Sequence, residues 1–184
     1  NIYCGAIAGS ASPSTVTTFC SARGEIKTDV TSTASDYNHS GGIIGDNSGT
    51  ISYCRADVKV IASSNSGDSR TQCAAGGIVG YNYGTILASE VSAQPDAAEA
   101  QAGGIAGFAN GYITSCTSGV GKIIANGNGQ VNAGGVAGYQ YGAVYSSYAR
   151  GDATAGGGNK AGAIVGYHNA SADIDLCIGT GAGG

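Results

Sequence analysis

Charged residues are scarce in this sequence: Lys and Arg number 8 and Asp and Glu 12, together 11% of the chain, with a net charge of −4. A typical soluble protein carries about 25% charged residues. Because the basic residues are few and scattered, none of them form a patch that could neutralise a run of phosphates, and we expect no nucleic-acid partner. Long apolar runs are also missing, since Gly, Ser, Thr or Asn interrupts every uncharged stretch. We therefore expect no membrane span.

Methionine and tryptophan are absent and proline occurs twice, whereas glycine supplies 34 residues. Glycine costs about 1 kcal/mol relative to alanine in a helix interior, and no long segment between the glycines has apolar residues at helical spacing. The composition therefore predicts an all-β chain whose glycines occupy tight turns or crowded backbone. The sequence starts at Asn1 without an initiator methionine or leader-like features, so we expect a mature or excised form.

A five-residue pattern of the type Gly-Gly-Ile-Val-Gly recurs six times along the chain. Its copies begin 36, 35, 27, 31 and 28 residues apart, at Gly5, Gly41, Gly76, Gly103, Gly134 and Gly162. A second strand-like run follows each of the four middle copies, and segments such as 58–61 and 122–124 suggest a third. Repeats of this length indicate stacked units within one domain. We place the units approximately at 1–40, 41–75, 76–102, 103–133, 134–161 and 162–184.

Stacking such units about 4.8 Å apart puts equivalent residues in columns. One predicted core column contains Ile7, Ile43, Ile78, Ile105, Val136 and Ile164, and another contains Ile51, Ile86, Ile113, Val144 and Ile174. A glycine column at Gly9, Gly45, Gly80, Gly107, Gly138 and Gly166 marks a corner that needs positive φ or has no room for Cβ. The sequence thus predicts a parallel β-solenoid (β-helix) of about six rungs, right-handed as parallel crossovers almost always are. Segments 31–40, 63–74, 93–102 and 151–160 vary in length and are predicted to be loops along one edge.

The runs Gly-Gly-Ile-Val-Gly-Tyr-Asn-Tyr-Gly-Thr-Ile at 76–86 and Ser-Ser-Tyr-Ala-Arg-Gly-Asp at 146–152 resemble the GLUG repeat motif. The resemblance covers nearly the whole chain. It implies a solenoid in a secreted or surface-anchored protein, often an adhesin-like one, and it implies no particular activity or cofactor. The first unit departs from the motif over 10–18 and the last over 169–173.

Six cysteines, with no close pairs of the kind that bind zinc, indicate an oxidising compartment. Four of them share one repeat column, in which Ser89 and Ser147 occupy the other two units: Cys20, Cys54, Cys116 and Cys177. Adjacent rungs lie within disulfide range and rungs two apart do not, so only Cys20 and Cys54 can pair inside the column. The other two are then buried thiols or pair elsewhere, with Cys4 and Cys73 as remaining candidates. No histidine or acidic spacing suggests a catalytic cysteine.

Two sequons, beginning at Asn38 and Asn169, match the N-glycosylation pattern. Together with the cysteines they favour an extracellular or cell-surface location.

An aromatic residue follows the pattern in four units, at Tyr81, Phe108, Tyr139 and Tyr167. Stacked rings in this column would form either a sugar-binding strip or a stabilising ladder, and we favour the ladder.

Two further features suggest other activities. Asp173 and Asp175 flank Ile174 on one predicted strand, with His168 close in sequence, and clustered carboxylates of this kind cut polysaccharides in some β-helix enzymes. A pair of aspartates is more often a solvated edge, and we expect no catalytic residues. The richness in Ser, Thr, Ala and Gly, with few charges, suits a flat ice-binding face, but Thr50, Thr85 and Thr114 form no complete column.

The first and last units carry no recognisable cap, and an open rung exposes unpaired backbone. We therefore expect either a fragment of a longer repeat protein or a chain whose copies stack end to end into a filament. In both cases we expect a non-enzymatic structural or adhesive extracellular solenoid. Its expected partner is itself, stacked end to end as in a filament, or a cell-surface or matrix component. The alternative is a binding module for ice or for carbohydrate.

Overall fold

The computed structural model describes residues 1–30, 37–64, 73–92, 95–98, 101–119, 121–126, 130–156 and 160–184. Within these ranges the regular elements are all β-strands, and the strands pair in parallel. The prediction of an all-β parallel solenoid is confirmed. Its handedness stays a prediction.

The strands form four sheets, numbered here in the order in which the chain visits them. Sheet 1 contains Ile2–Gly5, Asn38–Gly41, Cys73–Gly76, Gln101–Gly103, Asn132–Gly134 and Lys160–Gly162. Sheet 2 contains Ala8–Ala11, Ile44–Asn47, Val79–Asn82, Ala106–Ala109, Ala137–Gln140 and Val165–His168. Sheet 3 contains Val16–Thr18, Thr50–Ser52, Thr85–Leu87, Tyr112–Thr114, Ala143–Tyr145 and Asp173–Asp175. Sheet 4 contains Ser21–Val30, Arg55–Ser64, Glu90–Val91, Pro95–Ala98, Thr117–Ser118, Lys122–Asn126, Tyr148–Ala149, Asp152–Ala155 and Ile178–Gly179.

Sheets 2 and 3 each receive one strand from every repeat unit, in the order of the units. In sheet 1 the first strand lies in unit 1, and each later strand crosses the boundary between two successive units. The four middle units have a paired neighbour on both sides and form about four fully packed turns. The first and last units pair on one side only, so the number of fully packed turns is smaller than the six rungs expected.

Burial follows the columns inferred from the repeat. Ile43, Ile78, Ile105 and Val136 are 0% exposed, as are Ile51, Ile86, Ile113 and Val144 in the second column. At the ends of the same columns, by contrast, Ile7 is 48% exposed and Ile174 is 41% exposed. The core is therefore closed in the middle of the solenoid and open at its terminal rungs.

The glycine column at the start of sheet 2 is explained by crowding rather than by positive φ. None of its members has a positive φ. A Cβ built on Gly107 would lie 2.7 Å from the Ala75 backbone nitrogen in sheet 1 of the preceding rung. Real Cβ contacts are essentially never that short, so only glycine lets sheet 2 approach sheet 1 this closely.

Positive φ occurs instead at the corner between sheets 3 and 4, and on residues other than glycine. One residue of each unit has a φ of 46° to 54°: Phe19, Tyr53, Ala88, Ser115, Ser146 and Leu176. A non-glycine residue in this left-handed region is uncommon. Its recurrence at one position in all six units identifies this turn as a fixed part of the repeat.

The first and last units contain two extra residues before sheet 3, and the structure places them in turns at 13–14 and 170–171. Sheet 3 then resumes its register, because Val16–Thr18 pairs with Thr50–Ser52 and Asp173–Asp175 pairs with Ala143–Tyr145.

The prediction of loops before each glycine pair needs correction. Parts of those segments are strands of sheet 1, such as Asn38–Gly41 and Cys73–Gly76, and Asp152–Ala155 belongs to sheet 4. In-register backbone pairing forms these strands without alternation of apolar and polar residues. The remaining parts of the predicted loops, 31–36, 65–72, 93–94, 99–100 and 157–159, lie outside the described residues.

Candidate functional site

The four aromatic residues of sheet 2 form one continuous stack of rings. Ring centroids are 4.4 Å apart for Tyr81 and Phe108, 4.8 Å for Phe108 and Tyr139, and 4.5 Å for Tyr139 and Tyr167. The interplanar angles are 9°, 4° and 15°. Parallel in-register pairing sets this spacing, since these residues face each other in adjacent strands.

Two sheet 1 side chains extend the stack at its ends. His39 stacks on Tyr81 with centroids 4.7 Å apart, and its Nδ1 lies 3.1 Å from Asp46 Oδ2. The Lys160 ammonium lies 3.8 Å from the centre of the Tyr167 ring, which is a cation–π contact. The repeat pattern did not predict the contacts of His39 and Lys160 with the ring stack, because it did not predict the strands of sheet 1.

Most ring faces in this stack are already occupied by neighbouring rings. A sugar binds an aromatic residue through the ring face, so the stack leaves mainly ring edges for a ligand. Tyr81 is also only 7% exposed, and burial raises the pKa of its hydroxyl above the ordinary value near 10. These contacts favour the stabilising ladder over the sugar-binding strip.

The cysteine column forms hydrogen bonds to the backbone instead of disulfides. Cys20 and Cys54 are not joined by a disulfide in this structure, although their places in adjacent rungs allow such a pair. The Cys54 Sγ accepts a hydrogen bond from the Cys20 backbone nitrogen at 3.4 Å and donates to the Ser52 carbonyl at 3.3 Å. Because its sulfur accepts one backbone hydrogen bond and donates another, the Cys54 side chain stabilises the corner between sheets 3 and 4.

Serine performs the same role in the other two units. Ser89 Oγ accepts from the Cys54 nitrogen at 3.2 Å and donates to the Leu87 carbonyl at 3.0 Å. Ser147 Oγ likewise accepts from the Cys116 nitrogen at 3.2 Å. The column is therefore a hydrogen-bonded corner that either Cys or Ser can form.

We expect Cys116→Ser to leave the free energy of unfolding at pH 7 within about 1 kcal/mol of the wild type, because Ser89 and Ser147 make the same bonds in neighbouring units. Burial raises the pKa of the Cys116 thiol to about 11, from an ordinary value near 9. The folded thiol keeps its proton up to about pH 11, whereas the unfolded thiol loses it near pH 9. The wild type should therefore lose up to about 3 kcal/mol as pH rises through this window.

Urea unfolding of both proteins at pH 7 and pH 11 measures this difference. Serine does not titrate there, so the variant should lose less stability than the wild type. Equal losses would show that the Cys116 thiol does not hold its proton more tightly in the folded state.

The two sequons differ in accessibility. Asn38 is 0% exposed, and its amide nitrogen donates to the Ser63 carbonyl at 3.0 Å. A glycan on that nitrogen would break this contact, so the fold disfavours Asn38 as an acceptor. Asn169 lies at the partly exposed turn before sheet 3, where its Oδ1 accepts from the Ser171 hydroxyl at 2.8 Å, and it stays the predicted acceptor.

The acidic pair does not assemble with the histidine. Asp173 and Asp175 are exposed on the outer face of sheet 3. His168 Nδ1 instead lies 3.2 Å from Gln140 Oε1. Within the described ranges no three His, Cys, Asp or Glu side chains are grouped as metal ligands.

Sheet 3 also borders a shallow depression of about 270 Å³, which has Tyr112, Tyr141, Tyr145 and Asp173 at its walls. The Tyr145 hydroxyl lies 3.3 Å from Asp173 Oδ2. Burial and then the Asp173 charge raise the pKa of Tyr145, which keeps the hydroxyl protonated as the donor. The repeat pattern did not predict that these three tyrosines lie together.

Comparison of the chain with protein-family models, with curated proteins and with solved structures found no match. The resemblance to the GLUG repeat therefore stays a prediction. Among the described residues, no helix has the length and apolar character needed to cross a membrane.

The threonines of sheet 3 do not form a repeated ice-binding array. Thr50 and Thr85 are partners in one outer column, which continues through Tyr112 and Ala143. Thr114 belongs to the other outer column, beside Leu87. A lattice of matched threonines is absent from these described strands, which weakens the ice-binding alternative.

Proposed function

We propose that this chain is a non-enzymatic structural module of the extracellular space or cell surface, and that its solenoid extends by end-to-end pairing with further copies. The observation that carries the proposal is the contrast within each core column. Side chains that are 0% exposed in the middle units have counterparts that are 48% exposed at Ile7 and 41% exposed at Ile174. One more rung on either end would bury these side chains and pair the open strand edges.

The first and last rungs contribute the two edge strands of the same parallel sheets, with the same strand direction. Every sheet is parallel and every unit enters the sheets in the same order, so the last rung of one copy presents the edge that the first rung of the next can pair with. This is a heterologous contact, which repeats without closing and produces a filament. Burying the two isoleucine side chains stabilises such a contact by roughly 1 kcal/mol each, since about half of each is already buried.

The extracellular part of the proposal is supported by the GLUG resemblance and the accessible Asn169 sequon. The cysteines at 20, 54, 116 and 177 no longer support it, because their side chains form hydrogen bonds to the backbone at the corner before sheet 4. The adhesive part, with a cell-surface or matrix component as partner, is supported by the GLUG resemblance alone.

Sedimentation and negative-stain microscopy at rising protein concentration test end-to-end pairing. We expect rods that lengthen with concentration, with a subunit rise of about 29 Å for six rungs at 4.8 Å. Ile7→Lys and Ile174→Lys should each stop growth, because a buried lysine at the junction would lack a partner. Thr85→Lys, on the outer face of sheet 3, is the matched control and should assemble normally. A wild type that stays monomeric, or growth that both isoleucine variants retain, would refute the proposal.

A further inference from the structure

We propose that the depression beside sheet 3 is a binding site for a neutral saccharide. This inference rests only on the adhesive part of the proposed function and is independent of assembly. It places carbohydrate recognition on tyrosines other than those of the stacked ladder.

The depression arises from one small residue in an outer column of sheet 3. Tyr112, Ala143 and Asp173 are successive partners in this column, so a methyl group lies between a tyrosine ring and a carboxylate that are two rungs apart. At about 4.8 Å per rung, this leaves a gap of about 9.6 Å between the flanking backbones. Ala143 is 5% exposed and forms the floor.

The walls offer ring surfaces that the ladder does not use. Tyr112 is 58% exposed and Tyr141 is 45% exposed. Tyr141 stacks against the ladder at Tyr139 and Phe108, with centroids 5.5 Å and 6.1 Å apart, and its exposed part borders the depression. Exposed tyrosines present an apolar face together with a hydroxyl and suit ligands that are apolar on one side and polar at the rim.

Polar groups surround the rings on the same surface. Asp173 accepts one hydrogen bond from Tyr145 at 3.3 Å, and an ionised carboxylate can accept about three more. Asn110 adds an amide and Ser171 adds a hydroxyl to the lining. A few convergent polar groups around aromatic walls are the usual composition of a small-molecule site.

A pyranose ring fits this combination, because its C–H face packs on a tyrosine and its hydroxyls reach the carboxylate and amide. The volume of about 270 Å³ is just below the range of about 300 to 1,000 Å³ for drug-sized ligands, so the site holds one or two sugar rings. The negative charge of the lining determines which sugars can bind. The lining contains Asp173 and no basic residue, with Asp175 one strand position beyond Ile174, and these carboxylates repel uronic acids and sulfated sugars.

The test titrates the whole chain with cellotetraose, maltotetraose, mannotetraose and chitotetraose, and with tetragalacturonate as the anionic comparison. Saturation-transfer NMR detects binding, and chemical-shift titration gives Kd. We expect at least one neutral tetrasaccharide to bind with a Kd of about 1 mM or below, and tetragalacturonate to bind at least 10-fold more weakly.

Two variants locate the site. Tyr112→Ala removes an exposed ring, and Ala143→Thr fills the floor with a residue that the same column already holds at Thr50 and Thr85. Each should weaken binding at least 10-fold, while circular dichroism stays that of the wild type. Tyr53→Ala is the matched control, because Tyr53 is 54% exposed at a different corner, and it should bind normally.

The inference is overturned if no neutral tetrasaccharide binds at about 10 mM, or if both site variants bind as tightly as the wild type. If saccharide binding is absent while rods grow normally, this inference fails and the assembly proposal stands. If monomers that do not assemble bind saccharide normally, the assembly proposal fails and this inference stands.

Discussion

Gly103→Ala should lower the free energy of unfolding by at least about 3 kcal/mol or prevent folding altogether. Gly103 ends a strand of sheet 1, and the chain turns into sheet 2 within two residues. A Cβ on Gly103 would overlap the carbonyl oxygen of Ala106 across this turn, and it would also lie 2.8 Å from the Gly138 nitrogen of the next rung. Both obstacles are backbone atoms, so no side-chain rotation relieves them.

The effect should reach beyond one turn because the corner is hydrogen-bonded between rungs. The Ile78 nitrogen donates to the Ile105 carbonyl at 2.9 Å, and the Ile105 nitrogen donates to the Val136 carbonyl at 2.9 Å. Opening the turn at Gly103 shifts Ile105 and strains the bonds to both neighbours.

Urea unfolding followed by circular dichroism measures this loss. Gly121→Ala is the control, because a Cβ there would meet no atom within 4 Å and the residue has no positive φ. The control should change stability by less than about 1 kcal/mol. If Gly103→Ala proved no more destabilising than Gly121→Ala, crowding would not be the reason for glycine at this corner.

The repeat pattern was sufficient to predict the fold class and the two core columns. The isoleucines at 78, 105 and 113 occupy fixed places in each unit, and parallel stacking converts a fixed place into a column. Sheet 1 could not be predicted in the same way. Its outer column contains Tyr3, His39, Ala74, Gln101, Asn132 and Lys160, which share neither size nor polarity, so only backbone pairing defines these strands.

The corner before sheet 4 was missed for a related reason. Positive φ normally selects glycine or asparagine, yet the residues there include Phe19, Ala88 and Leu176. The signal in the sequence is the Cys or Ser that follows each of them, whose side chain bonds to the backbone. Cysteine in that position suggested disulfides, because sequence spacing gives the distance between rungs but not the direction of the sulfur.

Part of the depression beside sheet 3 could be predicted from the sequence. Once Ile113, Val144 and Ile174 are assigned to the core, their predecessors Tyr112 and Ala143 must point outward in one column. The approach of Tyr141 and Tyr145 to that column depends on the turn after sheet 2, which the spacing of the repeat does not specify.

Ile105→Ala should lower the free energy of unfolding by about 3 to 4 kcal/mol, within the range for a fully buried isoleucine. The Ile105 side chain is 0% exposed, and it lies between Ile78 and Val136 in the same column. Neighbouring rungs are held 4.8 Å apart by backbone pairing and cannot collapse into the cavity. Ile105→Val should cost only about 1 kcal/mol, because valine occupies the next position of the column.

Ile7→Ala is the matched control, since Ile7 belongs to the same column but is 48% exposed at the terminal rung. We expect it to cost no more than about 1 kcal/mol at dilute concentration, where no second copy covers the end. In a stacked repeat, stability is the sum of unit and nearest-neighbour terms, so a central residue loses two interfaces and a terminal residue loses one. Equal losses at Ile7 and Ile105, measured by urea unfolding, would contradict this column model and would indicate that the first rung is already covered in solution.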